Sequence, residues 1–177
     1  MSETIISPPR TIMEVFKMLP ENTLAEVIEN TLFMSPAPTP FHQRIVKNLS
    51  FKIDEFVQKN EGGEVFISPI DVYLDEVSSV IQPDIVFFSA SDALVIDKNG
   101  VHGVPQLVIE VLSSGNQSHD LITKKNLYQK FGVREYWVVD QLTKECIGFF
   151  LKDGSYSESS KTIGKLHSLV LEQSFSF

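Results

Sequence analysis

The sequence has a single cysteine, Cys146, and a single tryptophan, Trp137. One thiol cannot close an internal disulfide, so a cytoplasmic location is the expectation. Long apolar runs are missing too. Leu107–Leu112 is among the most apolar stretches, yet Glu110 interrupts it, and it falls far short of the roughly 20 residues that span a bilayer. Met1-Ser2-Glu3 opens with an acid and no apolar segment, which argues against a secretory signal. The compact catalytic signatures are absent as well: no P-loop, no G-x-G-x-x-G, no G-x-S-x-G and no H-E-x-x-H. Cys146 has no evident histidine partner, which argues against a cysteine nucleophile. Positive charge is scarce, with 15 Lys and Arg against 23 Asp and Glu, a net charge of −8. A nonspecific nucleic-acid coat would need a positive field. An enzyme that gathers cations among carboxylates and meets phosphate with a local basic patch remains compatible with this balance.

What is present describes an ordered globular chain. Its 177 residues are 42% hydrophobic and 21% charged, enough for one domain over residues 1–177 with a sizeable core. Residues 1–10, with Ser7-Pro8-Pro9, read as a loose arm. Thr11 with Glu14 three residues later predicts a short capped helix to Met18, ended before Pro20. Ala25–Ile28 and Leu32–Met34 read as strands joined by Glu29-Asn30-Thr31, where Asn30 tolerates positive φ. After the Pro-rich segment 35–40, Phe41, Ile45, Leu49, Ile53 and Val57 recur at helical spacing, which predicts a helix over Phe41–Lys59. Glu64–Ile67, Asp71–Leu74, Ile85–Ser89 and Leu107–Leu112 are strand-like. Residues 90–104 read as a loop with a short helical turn, and Ser113–Asn116 as a turn. His119–Phe131 reads as a helix capped by Gly132. Glu135–Val139 is a strand, and Cys146–Leu151 with a last strand near Leu169–Leu171 forms a hairpin-like extension turning at Asp153-Gly154. The central order is helix, three strands, helix, strand. It predicts a mixed α/β (α+β) fold whose sheet is covered by helices on more than one side.

Glu110 is the oddest residue. A carboxylate inside so apolar a strand loses its hydration and needs a cation, donors or a proton. It is either half of a structural ion pair or a metal ligand or catalytic acid. Asp84, fixed behind Pro83 at the start of Ile85–Ser89, is by itself a strand-edge aspartate facing water. Together, two carboxylates on adjacent strands can converge on one hard cation. Asp120, Lys124 and Tyr128 stack at i, i+4, i+8 on one helix face. Lys124 is either a surface partner of Asp120 or a cation aimed at the carboxylates, where it could stabilise charge on a phosphate. Lys125, Lys130 and Arg134 add a local basic feature. His42 and Asp71 are weaker candidates, and a lone histidine beside an apolar face is more often structural.

Three blocks together resemble a known family. They are Ala25–Asn30 through Met34-Ser35-Pro36 to His42; Gln82-Pro83-Asp84-Ile85; and Leu107–Ser113 through Asp120-Leu121, Lys124 and Tyr128 to Gly132–Asp140. This pattern is similar to the Uma-two family of restriction endonucleases, within the PD-(D/E)XK nuclease superfamily, over about Thr11 to Asp140. The resemblance implies a restriction-endonuclease-like fold with an αβββαβ core, the order read from the residues, plus a C-terminal β extension. It implies that Asp84 and Glu110 are the two motif acids binding Mg2+ or Mn2+, with the Val111 carbonyl as third ligand, and that DNA is the substrate. The superfamily lysine expected two residues after the second acid is Leu112 here, so Lys124 is inferred to replace it. Asn30 stands where a glycine is expected, Ser114-Gly115-Asn116 replaces a proline-containing turn, and Gln141 replaces a proline. The catalytic set is thus Asp84, Glu110 and Lys124, with His42, Asp71, Asp120 and Tyr128 in support, in an endonuclease expected to pair as a homodimer and to have no membrane segment. The alternative is a non-catalytic nucleic-acid-binding or regulatory protein that keeps the fold, its acids serving only as ion pairs with Lys124.

Overall fold

The computed structural model describes residues 8–92, 94–113 and 118–177, except the side chains of residues 159 and 160. Most of the loose arm and the turn expected at 113–116 lie outside those residues. Thr11 caps α1 (Ile12–Lys17) by accepting the Glu14 N–H at 3.1 Å. Glu14 in turn accepts the N–H of Arg10, one residue before the cap. β1 (Ala25–Ile28) and β2 (Thr31–Met34) form a hairpin. Glu29 and Asn30 take φ of 47° and 63°, the two positive values that a tight primed turn demands. α2 (Pro40–Lys59) starts at Thr39, whose side chain accepts the His42 N–H, with Pro40 in the first turn where its missing donor costs nothing. Ile45, Val46, Leu49, Ile53 and Val57 make its buried stripe.

The next strands are β3 (Gly63–Ile67), β4 (Val72–Tyr73), β5 (Val80–Ile81) and β6 (Ile85–Ser89). They are followed by β7 (Val95–Asp97), β8 (Gly100–His102) and β9 (Leu107–Leu112). A π-helical segment, His119–Lys124, runs directly into α3 (Lys125–Phe131), which Gly132 ends at φ 84°. β10 (Glu135–Asp140), β11 (Glu145–Lys152), β12 (Ser155–Ile163), β13 (Lys165–Ser168) and β14 (Gln173–Ser176) complete the chain.

The central sheet runs β12-β11-β10-β9-β6-β3. β9 and β10 are parallel and the other neighbours antiparallel. One face, with Ile85, Phe87, Leu107, Ile109 and Trp137, packs on the α2 stripe. The other, with Val86, Val108, Leu112, Tyr136 and Val138, meets Leu127 and Tyr128 of α3 and Ile28, Val72, Ile81 and Val101 from a second sheet. The order α2-β3-β6-β9-α3-β10 is the expected αβββαβ core in a mixed α+β fold.

Three expectations are overturned. The 90–104 segment contains the β7–β8 hairpin rather than a helical turn. With β5 it completes a second sheet, β2-β1-β5-β4-β8-β7. β5, β7 and β8 are each two or three residues long, and Val101 is the one buried residue of the hairpin, so no alternating pattern is long enough to show. β5 is held by pairing with β1 and β4, β8 by pairing with β4, and β7 by pairing with β8. The helix expected over His119–Phe131 is π-helical in its first part. Asp120 and Lys124 are both buried in this segment. Finally, the strand expected near Leu169–Leu171 is the turn between β13 and β14. Buried Glu135 takes the Val170 N–H at 2.8 Å and the Ser168 hydroxyl at 2.9 Å, so a side chain, not a strand, satisfies that backbone donor.

Glu135 also accepts from Trp137 Nε1 at 2.5 Å, which fixes the indole across β10 from Gly148 of β11. A Cβ at position 148 would stand 2.7 Å from the Trp137 ring. Gly148→Ala should therefore lower stability by about 1–3 kcal/mol by overpacking, read as an earlier urea midpoint. An unchanged midpoint would show that the indole can move.

Candidate active site

Pairing of Ile85 with Ile109 and Val86 with Val108 sets Asp84, just before β6, opposite Glu110 of β9. Opposed residues of an antiparallel pair project to the same side, so both carboxylates face α3 and the second sheet. From the π-helical segment, Lys124 Nζ donates to Glu110 Oε1 at 2.9 Å and forms an ion pair with Glu26 Oε1 of β1 at 2.8 Å. Tyr128, one turn on, donates its hydroxyl to the same Glu110 oxygen at 2.7 Å. Asp84 Oδ2 accepts the Val111 N–H at 2.7 Å and lies 3.0 Å from His42 Nε2. A carboxylate oxygen can only accept, so Nε2 carries the hydrogen. The other imidazole nitrogen, Nδ1, is buried without a partner among the described residues. Asp84 Oδ1 and Glu110 Oε2 carry no hydrogen bond among the described residues.

The cluster is nearly closed to solvent: Glu26 and Glu110 are 3% exposed, Lys124 5%, and Asp84, the outermost, 9%. Burial pushes the Glu110 carboxyl up to about 8, against the pull of Lys124 and with a further push from Asp84. Asp120 is raised to about 6, again chiefly by burial. Burial also pushes Glu26 upward, but the charge of Lys124 and bonds from His119, Lys124 and the Gln82 N–H outweigh it and leave Glu26 below the usual range. Burial disfavours the Lys124 ammonium, yet Glu110, Glu26 and Asp120 outweigh that and hold it protonated, well above the ordinary lysine value.

The family model described as "putative restriction endonuclease" matches residues 13–176. The chain belongs to the Uma-two family. A crystal structure of a "putative nuclease" from Anabaena variabilis is similar, with a TM-score of 0.69 at 19% identity, covering 85% of this chain and 84% of that one. At that identity the likeness concerns the fold. No curated protein matches the chain.

As an Uma-two member, the chain shows where its departures fall. Leu112, two residues after Glu110, lies on the same sheet face and packs into the core. Lys124 brings its ammonium to Glu110 from the helix opposite. Asn30 has the positive φ that a glycine would have supplied. Gln141 accepts the Thr39 hydroxyl at 2.5 Å, tying the start of α2 to the end of β10. Asp120 is buried beside Lys124 in sequence, while Asp71 stays outside the cluster. It lines a separate cavity of about 780 Å³ with Phe16, Tyr73 and His102, and is linked to Glu26 of the site through Gln82. Two residues escaped the sequence reading: Glu26, and His119, whose Nε2 lies 3.8 Å from Glu26. Glu26 carried a signal, since it is an acid inside an apolar strand just as Glu110 is.

Among the described residues no three His, Cys, Asp or Glu side chains are grouped to hold a metal ion. The donor set offered is the carboxylates of Asp84 and Glu110, each with one oxygen to spare among the described residues. That is hard-oxygen chemistry suited to magnesium or manganese with water completing the shell.

Removing Lys124 would leave two buried acids unpaired. Lys124→Met should cost about 3–5 kcal/mol at neutral pH. Without the ammonium, both Glu26 and Glu110 have raised folded-state values. Their stability contribution is then complete below the unfolded value near 4.5 and is lost as pH rises through the folded values, Glu110 already being near 8 with Lys124 present. Urea unfolding of the variant at pH 5 and pH 8 should thus show the larger deficit at pH 8. A deficit independent of pH would contradict this electrostatic account.

Proposed function

We propose that this chain is a metal-dependent endonuclease that hydrolyses phosphodiester bonds in DNA. The observation that carries the reading is the convergence of Asp84, Glu110 and the Lys124 ammonium, each acid keeping one oxygen free. Asp84, Glu110 and the Val111 carbonyl would hold Mg2+ or Mn2+, which supplies Lewis acidity toward phosphate oxygens and lowers the pKa of bound water. The protein's own groups do the rest. His42 and the Val111 N–H grip one oxygen of Asp84 and so orient the other. Tyr128 and Lys124 do the same for Glu110. Lys124 stays protonated, so its part is to offset negative charge developing on the phosphate, not to accept a proton. Because Asp84 is the outermost member, the phosphate approaches from its side.

A second reading keeps the fold without chemistry. The observation behind it is the commitment of Lys124 to two buried glutamates at 2.8 and 2.9 Å. Calorimetry with manganese and cleavage of DNA in its presence separate the two. Under the nuclease reading, wild type binds manganese, and Asp84→Ala and Glu110→Gln lose binding and reduce cleavage more than about 100-fold with unchanged circular dichroism. Cleavage that survives both substitutions overturns it. A wild type that neither binds manganese nor cuts, while Glu110→Gln shifts only stability, supports the non-catalytic reading. On a duplex substrate, cutting both strands at one place would take two centres, and a symmetric homodimer would supply them. Light scattering at micromolar concentration should then give twice the chain mass.

A further inference from the structure

Among the described residues, two aromatic side chains are exposed: Phe51 at 69% and Phe41 at 55%. All other described phenylalanines, tyrosines and the tryptophan are buried or half-buried. Both exposed rings lie on the outward face of α2, opposite the stripe that packs on the central sheet. They are ten residues apart, about 15 Å along the helix at 1.5 Å per residue. Between them the same face presents Arg44 and Lys47, both exposed, with the Arg44 guanidinium 5.9 Å from the Phe41 ring. From Pro40 to Ile53 the helix carries Arg44, Lys47 and Lys52 and no acid, in a chain of net charge −8. Of these cations Lys52 is committed to the Ser176 carbonyl of β14. Acids return only at Asp54 and Glu55, the latter paired with Lys59.

This face begins at the candidate site, because Phe41 precedes His42, the residue that touches Asp84. The order along it is aromatic, cation, cation, aromatic. A polyanion is complementary to the two cations against the acidic remainder of the molecule. A partner that also presents flat apolar rings suits the two phenylalanines. Single-stranded nucleic acid has both, since its phosphates can pair with Arg44 and Lys47 while unstacked bases lie on Phe41 and Phe51. A duplex hides those ring faces inside its stack.

We infer that the outward face of α2, through Phe41, Arg44, Lys47 and Phe51, binds single-stranded nucleic acid and leads it to the Asp84 side of the candidate centre. The inference rests on the nuclease reading for its substrate class and names the surface and strand state that reading leaves open.

The test is fluorescence anisotropy with a labelled thymidine oligomer and its duplex counterpart, in EDTA so that nothing is cut, across a salt series. Wild type should bind the single strand more tightly than the duplex. Arg44→Gln with Lys47→Gln should weaken binding about tenfold or more and reduce the salt slope by about 1.4, roughly 0.7 for each phosphate no longer neutralised. Phe41→Ala with Phe51→Ala should weaken single-strand binding about fivefold or more without changing the slope. A control with the same charge change elsewhere, Lys152→Gln with Lys161→Gln, should bind as wild type does. All four α2 residues are exposed, so these variants should keep the wild-type circular dichroism. If wild type binds or cuts nucleic acid and the α2 variants match it, the inference falls while the nuclease reading stands. If wild type binds and cuts no nucleic acid, both fall. A dimer that Phe51→Ala dissociates would show that these rings meet a second copy of the chain, and would also overturn the inference.

Discussion

A carboxylate placed in the middle of a fully buried strand has to be met by charge, and the site is organised around meeting Glu110. Its strand, β9, is buried at every position. Left alone, the ionised group would cost several kcal/mol. Lys124 and Tyr128 come to it from the helix packed on that sheet face, and Glu26 comes to Lys124 from the second sheet. Three separate elements are therefore joined at one ammonium. The π-helical segment His119–Lys124 belongs to the same arrangement, with Lys124 and Asp120 both buried. The network is a poor source of stability compared with hydrocarbon of the same volume. What it does is hold charged groups in fixed orientations in a place of low dielectric.

The two faces of the central sheet divide the work. One is hydrocarbon against hydrocarbon, α2 over Ile85, Phe87, Leu107 and Ile109. The other holds the charged cluster under α3. α2 serves both, because its first turn reaches around the strand end and His42 contacts Asp84. The helix that anchors the core thereby also orients the outermost carboxylate and presents its outward face beside it. Glu135 repeats the logic of a satisfied buried acid in a purely structural role. It binds Trp137 and captures the 168–170 turn, fastening the C-terminal extension to the sheet.

Much of this was legible in the chain itself. The apolar period of α2, the Thr11 and Thr39 starts, the Asn30 turn, the apolar runs β6 and β9 and the αL stop at Gly132 are local effects, set by neighbours three or four residues away. Glu110 announced itself by interrupting one of those runs, and the pattern around it, with Asp84, Lys124 and Tyr128, carried the family. The exposed face of α2 was equally open to reading as a helical stripe. Which side of that helix stays bare depends on what the other side packs against.

Tertiary structure alone decided the rest. β5, β7 and β8 are too short to carry a period and exist because β1 and β4 pair with β5, β4 with β8 and β8 with β7. The turn at 169–171 is a turn because Glu135, more than thirty residues earlier, occupies its N–H. Glu26 is a site residue only because β1 pairs with β5 and so brings it beneath Lys124. Asp71, similar to it as an isolated acid, is left outside by the same folding. The sequence by itself determined which acids could not be left unpaired, because desolvation is a local cost readable from apolar neighbours. Only the fold determined which partners met them, because proximity across a sheet is set by register and not by distance along the chain.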